Sequence, residues 1–536
     1  MMKTRAIALT LALAATAAAC DDDFLLTIPP TSISDAIFWK QEKDALLAVT
    51  AVYPLNNATD MTVRMEATSD NAFAQKSFDA WYPIGRGAHN STTGSISGVW
   101  TNAYNAIGRT NQILANIDNI ADISASLKSR LIGETQFHRA YHYNILVSLF
   151  GDVPLITAPI TLAESRELTR TPRDQVVQQI LADLDAAAAA LPTTYSGSDQ
   201  GRATRGAALA LKARAALFAA SWKHHHENNK RAADALYAEA ANAAQAVMNL
   251  NIYELHPDFG ELTRYAGNNS QEIIFADQRL QNQRGQNMFS IVGPASLQGG
   301  NDVVPLRGLV DAFRMAGDGL PIDESPLFDP DNPFDGRDPR LYETLLYPGA
   351  QFHDITYNSL PGSGSGDEVG KDFNTTATGF NFIKYVNWED RNDRGNSGVH
   401  IILLRYADVL LMYAEAKIEL GQIDQSVYDA INAVRTRAGM PEVPLGMTAA
   451  QLRDVVRYER RAEFAMEGQR GWDIKRWKIA ENVLSGQTFG IDYIEGGQLK
   501  TIPADLRQFN AGRDYLWPIP ITEIERNPNL TQNPGY

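Results

Sequence analysis

The sequence predicts an all-α protein, in which hairpins of long helices form a scaffold and loop-rich insertions interrupt it. Two observations lead to this prediction. Apolar residues recur at three- and four-residue steps through long, alanine-rich segments, which is the spacing of one helix face. Short breaks containing Gly and Pro separate these segments into pairs, as expected for antiparallel neighbours.

Five helices are predicted in the first half, at residues 100–117, 137–150, 172–191, 204–221 and 234–250. Four-residue steps from Phe137 to Leu149 define the second, and Gly151 stops it. Pro172 lies in the first turn of the third, where proline is favourable. The pairs are similar to tetratricopeptide hairpins without a regular repeat of about 34 residues, so we expect a helical scaffold and not an open solenoid.

In the second half, helices are predicted from Leu403 to Gly421, at 427–438 and at 449–466. Residues 257–400 lie between the halves and are rich in Gly, Asn, Asp, Pro and aromatics, with a strand-like piece at 272–275. A second irregular insertion spans 70–98. Loops of this length are usually functional.

The N-terminus predicts export. Lys3 and Arg5 precede a short apolar run that ends in small residues before Cys20, the single cysteine of the 536 residues. A secretory signal could be cut after Ala19 and leave a free thiol. The sharper interpretation is a lipoprotein signal at 1–19, with Cys20 acylated. The N-terminal run is too short to span a bilayer, and no run elsewhere in the sequence is long enough.

Composition excludes several classes of protein. One cysteine allows no internal disulfide. The formal net charge of −15 disfavours nucleic acid and anionic lipid as partners. The 20 Tyr, 20 Phe and 8 Trp suffice for both a core and an exposed binding face.

Several long motifs together indicate a family. They are WTNAYNAIGRTNQILANI from Trp100, ETQFHRAYHYNILVSLFGDVPLI from Glu134, GRATRGAALALKARAALF from Gly201, RDPRLYETLLYPG from Arg337, LLRYADVLLMYAEAKIELG from Leu403, RYERRAEFAMEGQRGWDIKRW from Arg457 and LWPIPITEIERNPNLTQNPGY from Leu516. In this order and spacing the chain resembles the SusD/RagB family of outer-membrane nutrient-binding lipoproteins, over nearly the whole mature sequence.

The resemblance implies a SusD-like domain at 20–536. Its parts are N-terminal helices to about 256, a ligand-face insertion at 257–400, and C-terminal helices from 401. It implies four tetratricopeptide-like hairpins, a lipid on Cys20 and an acidic export address at 21–23. It places the protein on the cell surface, at the outer membrane of a Gram-negative bacterium. The implied partner is a SusC-like TonB-dependent transporter, and the implied cargo is oligosaccharide or, in some branches, peptide.

Ligand contacts are expected from three loops, because flat rings suit the C–H faces of sugars and polar side chains suit their hydroxyls. The first loop, 80–90, corresponds to a ligand loop of the family, and Trp81 is its leading candidate. The candidates are Trp81, Tyr82, Arg86, His89 and Asn90 in the first loop, Arg284, Gln286, Asn287, Phe289 and Arg307 in the second region, and Trp388 with Asp390 and Arg391 in the third.

Other motifs have structural interpretations. Glu459 and Glu463 could serve a helical glycoside hydrolase, but an ion network with Arg460, Arg470 and Arg476 is favoured. Trp472 and Trp477 are expected in the core, and the histidines at 224–226 at a solvated helix end. The acidic stretch 329–338 lacks EF-hand spacing, so a calcium site is without support. We therefore expect no catalytic residues, no metal and no cofactor. A peptide ligand and a purely structural subunit remain as alternatives.

Overall fold

The computed structural model describes residues 38–536, so Cys20 and the signal at 1–19 lie outside the described residues. Within this range ten helices have eight or more residues. They are α1 (Glu42–Thr50), α2 (Gly94–Asn116), α3 (Ala125–Phe150), α4 (Arg173–Ala190), α5 (Arg205–His225), α6 (Lys230–Met248), α7 (Tyr406–Glu419), α8 (Gln425–Arg437), α9 (Ala449–Glu463) and α10 (Gln469–Arg476). None of the described helices is both long and apolar enough to cross a bilayer.

The helices pack largely in chain order. Each of α2 to α6 packs on the next, α6 packs on α7, and α7 packs on α8 and α9. Alanines of α5, including Ala207, Ala208 and Ala210, are fully buried, and their small side chains let the neighbouring helices approach closely. The predicted all-α scaffold of helical hairpins is confirmed.

Local sequence fixes several helix ends. Thr204 caps α5, because its hydroxyl accepts a hydrogen bond from the backbone N–H of Ala207 at 3.1 Å. Thr448 and Gln451 form a reciprocal capping box at the start of α9. Gly151 ends α3 with φ +77°, a conformation that suits glycine.

The predicted start of α7 was wrong. Leu403 lies in a strand, and the helix begins only at Tyr406. The strand Ile401–Arg405 pairs antiparallel with Ile273–Asp277, which confirms the strand-like piece at 272–275. A short run of consecutive apolar residues fits a buried strand as well as a helix, so periodicity could not decide between them.

Short strands tie the insertions to the scaffold. In chain order they are β1 (Ala72–Ala74), β2 (Ile273–Asp277), β3 (Val303–Pro305), β4 (Leu345–Leu346), β5 (Gln351–Phe352), β6 (Ile355–Thr356), β7 (Asn381–Phe382), β8 (Ile401–Arg405), β9 (Gly486–Glu495) and β10 (Gln498–Arg507). They pair as β1/β3, β2/β8, β4/β7, β5/β6 and β9/β10. The β1/β3 pair joins the 70–98 insertion to the 257–400 insertion, so the two loop-rich regions meet at one place.

Candidate functional site

Two phenylalanines from the two insertions lie together on the surface where those insertions meet. The ring centroids of Phe78 and Phe373 are 5.8 Å apart, and their planes are inclined by 18°. Phe78 is 73% exposed and Phe373 is 66% exposed. Large aromatic side chains are normally buried, so a stacked, exposed pair indicates a binding surface. We name Phe78 and Phe373 the phenylalanine platform.

The platform is held in place by side chains that precede Phe78 and bind the backbone around Phe373. The Lys76 ammonium lies 3.6 Å from the ring centroid of Phe373 and donates to the carbonyl of the same residue. Gln75 donates to the Thr375 carbonyl at 3.0 Å and accepts from the Ala377 N–H at 2.7 Å. Burial lowers the pKa of Lys76. These contacts fix the loop that carries Phe373 against the loop that carries Phe78, so the two rings are pre-positioned.

Charged and amide residues that adjoin the two rings in the chain, with their ion-pair partners, form the polar rim of the platform. Arg64 forms an ion pair with Asp79 and lies 3.5 Å from Asp302. Asp372 accepts from the backbone N–H of Asn374 at 2.7 Å, and both residues are exposed. The site therefore offers apolar ring surface bordered by amide, carboxylate and guanidinium groups. This combination can stack on a sugar ring and hydrogen-bond its hydroxyls.

Phe78 and Phe373 are not among the ligand contacts predicted from the sequence. Each lies inside a short polar stretch, QKSFDA for Phe78 and GKDFNT for Phe373. Polar immediate neighbours are the local signal for exposure, but apolar residues at helix spacing, Trp81 for Phe78 and Val369 for Phe373, oppose that signal.

The leading candidate, Trp81, lies in the core. It is 5% exposed, and its ring packs edge-on against Trp517 with centroids 6.0 Å apart. His89 is also buried, with Nε2 2.6 Å from the Tyr536 hydroxyl, and burial lowers the pKa of His89 to about 4. Neither side chain has a face open to a ligand, so the structure contradicts both expectations.

The remaining residues of the 80–90 loop are more accessible. Tyr82 is half-buried, and the Arg86 guanidinium lies 4.8 Å from the centroid of its ring. Arg86 also forms an ion pair with Asp505 at 2.9 Å. Asn90 is exposed and accepts from the backbone N–H of Thr92 at 2.9 Å, which closes a turn. Tyr82, Arg86 and Asn90 remain predictions as ligand contacts.

In the second region, Phe289 is fully buried and cannot contact a ligand, so this expectation is also contradicted. Its neighbour Gln286 is buried too. Arg284 is half-buried beside Asp277, with which it forms an ion pair. Asn287 is exposed and precedes the short helix Met288–Val292. Arg284 and Asn287 remain predictions.

Arg307 and Trp388 are both half-buried, and the Trp388 ring packs edge-on against the buried Phe352 with centroids 5.9 Å apart. Arg307 is paired with Asp492 at 2.5 Å and with Asp311 at 3.2 Å. The half-buried ring of Trp388 stacks on the exposed His353, with centroids 4.9 Å apart and planes inclined by 20°. Both residues remain predictions as ligand contacts.

The carboxylates of α9 and the turn after it are buried and paired. Burial raises the pKa of Glu463, but the guanidinium groups around it outweigh that effect and hold the pKa well below its usual range. The partners differ from those expected. Glu459, Glu463 and Glu467 pair with Arg340, Arg405, Arg435, Arg437 and Lys384, whereas Arg460 pairs with Asp408 and Asp473, Arg476 with Glu415 and Asp473, and Arg470 with Asp70.

The candidate metal motifs form no metal centre within residues 38–536, where no three His, Cys, Asp or Glu side chains are placed to hold an ion. The histidines at 224–226 are half-buried and not solvated as expected. His226 stacks on Trp222 with centroids 3.7 Å apart and contacts the Lys475 carbonyl at 2.7 Å. In the 329–338 stretch, the Asp329 carboxylate accepts from the N–H of Asp331 at 3.0 Å and so closes a turn.

The fold and the site define a class of protein in which a helical scaffold carries a candidate binding surface built from loops. Comparisons identify its family. The model described as "SusD family" matches residues 269–536, and the one described as "Starch-binding associating with outer membrane" matches 30–217. The chain is similar to a SusD-like carbohydrate-binding protein from Bacteroides fragilis. The identity is 31%, the TM-score is 0.82, and the alignment covers 92% of this chain and all of that one.

Two further relatives agree. A second SusD-like structure from B. fragilis is 28% identical with a TM-score of 0.82, over 95% of this chain and 100% of that one. SusD-like protein P2 from Formosa agariphila is 29% identical over 470 residues, covering 83% of this chain and 81% of that protein. The chain belongs to the SusD family.

Proposed function

We propose that this protein is a surface lipoprotein that binds a glycan at the phenylalanine platform and delivers it to a SusC-like TonB-dependent transporter. The observation that carries the proposal is the exposed, stacked pair of rings with a polar rim at the junction of the two insertions. The family model described as starch-binding and the carbohydrate-binding relative from B. fragilis support a glycan as the ligand.

Binding at the platform is by stacking and hydrogen bonding on a shallow, preformed surface. Covering an exposed phenylalanine ring is worth up to about 1.5–3 kcal/mol. A few hydrogen bonds add a modest net gain, because each replaces a bond to water. The resulting affinity is about micromolar or weaker. Such affinity suffices when the partner transporter closes over the bound glycan.

Binding without catalysis is supported by the α9 carboxylates. Glu459 and Glu463 are fully buried and engaged by arginines, so they can neither reach a glycosidic bond nor exchange protons with substrate. A hydrolase would need a raised pKa on its acid, whereas the pKa of Glu463 is lowered.

The location and the partner are proposed from the family. The description "associating with outer membrane" supports attachment there. We propose that Cys20 carries the lipid, that residues 20–536 act as one unit, and that the transporter is a separate chain. Radiolabelled fatty acid should be incorporated covalently into the wild-type protein but not into the Cys20→Ser variant. Label in that variant would contradict the assignment.

The function is tested by titration calorimetry of the purified chain with starch, laminarin, xylan and a casein digest. We expect heat of binding with at least one polysaccharide and no new reducing ends on prolonged incubation. Binding of the peptide digest alone would favour the peptide-binding alternative. Release of reducing ends above a no-protein blank would remove the non-enzymatic assignment.

A further inference from the structure

A second candidate site, in addition to the phenylalanine platform, lies between the short helix Arg307–Ala312 and the hairpin β9/β10. It is a cleft of about 590 Å³, within the size range of small-molecule binding sites. Polar groups from Arg307, Arg461 and Thr501 line it together with the ring of Phe489, which is 43% exposed. A cleft of this size and mixed chemistry can hold a ligand unit of its own.

The carboxylates at the cleft are all neutralised. Arg307 pairs with Asp492 and Asp311, and Asp70 pairs with Arg461 at 3.0 Å and with Arg470 at 2.7 Å. Three carboxylates thus face three guanidinium groups. The cleft therefore offers no unpaired charge to an anionic or cationic ligand. Hydrogen-bonding capacity remains, because a guanidinium has five N–H donors and Nη2 of Arg307 has no acceptor among residues 38–536. This chemistry favours a neutral molecule with several hydroxyls.

The hairpin carries an exposed apolar patch beside the cleft. Ile494 and Leu499 lie directly opposite each other in the β9/β10 register and are both largely exposed. Because side chains alternate along a strand, they share a face with Asp492 and Thr501, which are bonded to each other and border Arg307. Ile494 and Leu499 therefore extend the exposed apolar surface of the hairpin beyond the polar groups at the cleft.

The cleft is separate from the phenylalanine platform. In the antiparallel β1/β3 pair, Ala74 lies opposite Val303 and Ala72 opposite Pro305. The platform follows the end of β1, whereas Arg307 follows the end of β3, so the two sites lie at opposite ends of the pair. One polysaccharide held at two points gains apparent affinity, because the second contact is intramolecular.

We propose that this cleft is a second glycan-binding site that takes neutral sugar units, which rests on the proposed glycan-binding function. Gly308 gives a direct way to close it. A Cβ added at Gly308 would lie 3.6 Å from the Asp70 carbonyl oxygen, an ordinary contact. The Gly308→Trp variant can therefore place an indole in the cleft, and Gly308→Ala is the matched control.

The test is calorimetric titration with maltoheptaose, laminariheptaose and an alginate oligomer of equal length. Thermal melting first confirms that both Gly308 variants fold. For the neutral oligosaccharide that binds wild type, we expect Gly308→Trp to halve the stoichiometry, as Phe78→Ala/Phe373→Ala also does, while Gly308→Ala changes nothing. The acidic alginate oligomer should bind more weakly to wild type.

Each contrary outcome identifies what failed. Unchanged stoichiometry in Gly308→Trp, with binding by wild type intact, overturns the second site alone. Stronger binding of the alginate oligomer overturns its neutral specificity. If wild type binds none of the polysaccharides or oligosaccharides, the proposed function fails together with this inference.

Discussion

The substitution Glu463→Gln probes the buried ion network at the centre of the fold. Glu463 is fully buried and accepts from Arg405 at 2.6 Å, from Arg340 at 3.0 Å and from Arg437. The network balances five acids against five bases, namely Asp338, Glu272, Glu459, Glu463 and Glu467 against Arg340, Arg405, Arg435, Arg437 and Lys384. Replacing one acid by an amide leaves the buried network with one positive charge in excess.

The expected loss follows from that charge. Removing one partner of a buried ion pair typically costs about 3–5 kcal/mol, because the remaining ion is desolvated without compensation. The three arginines keep other carboxylate partners, and the amide oxygen still accepts one hydrogen bond. We therefore expect the lower end of that range, about 3 kcal/mol of the free energy of unfolding.

The assay is guanidinium denaturation followed by tryptophan fluorescence. The matched control is Glu523→Gln, which removes a partner of the mostly exposed Arg526 and should leave the free energy of unfolding unchanged. A loss below about 1 kcal/mol in Glu463→Gln would refute the reasoning, since that is the range of surface pairs.

Three further predictions concern pH, the core and a turn. Burial raises the pKa of Asp408 and Glu415, but their arginine partners outweigh it and lower both to about 2. Their contribution is present above the unfolded pKa of about 4 and is lost as the pH falls toward 2, so acid titration should show unfolding in that window. Trp81→Ala should lower the free energy of unfolding by about 3–5 kcal/mol, because it opens a cavity. Unchanged stability together with reduced glycan affinity would instead indicate that Trp81 contacts the ligand. Gly151→Ala should lower stability by at least about 1 kcal/mol, because φ is positive and the added Cβ meets Leu516 at 2.9 Å, and an unchanged denaturation midpoint would contradict this.

Much of the scaffold could be predicted from the sequence because helix periodicity is local. The spacing from Phe137 to Leu149 and the stop at Gly151 are both carried by neighbouring residues, and α3 ends where they predict. The start of α7 could not be predicted, since Leu403 forms a strand only because β2 lies alongside it.

The exposed rings of the phenylalanine platform were harder to predict for the same reason. Trp81 and Phe78 lie three residues apart in one polar loop, and nothing local tells which is buried. Trp81 enters the core because it packs against Trp517, and Phe78 stays outside because its neighbour is Phe373. Both partners are remote in sequence.

The central claim is that the phenylalanine platform binds a glycan. The most direct measurement is the affinity of the Phe78→Ala/Phe373→Ala variant for the polysaccharide that binds wild type, with Leu445→Ala as control, since Leu445 is 69% exposed and similarly apolar. Losing both ring contacts should weaken binding by roughly 10-fold or more, about 1.4 kcal/mol, while the control keeps wild-type affinity. Equal affinity in the platform variant and wild type would contradict the account.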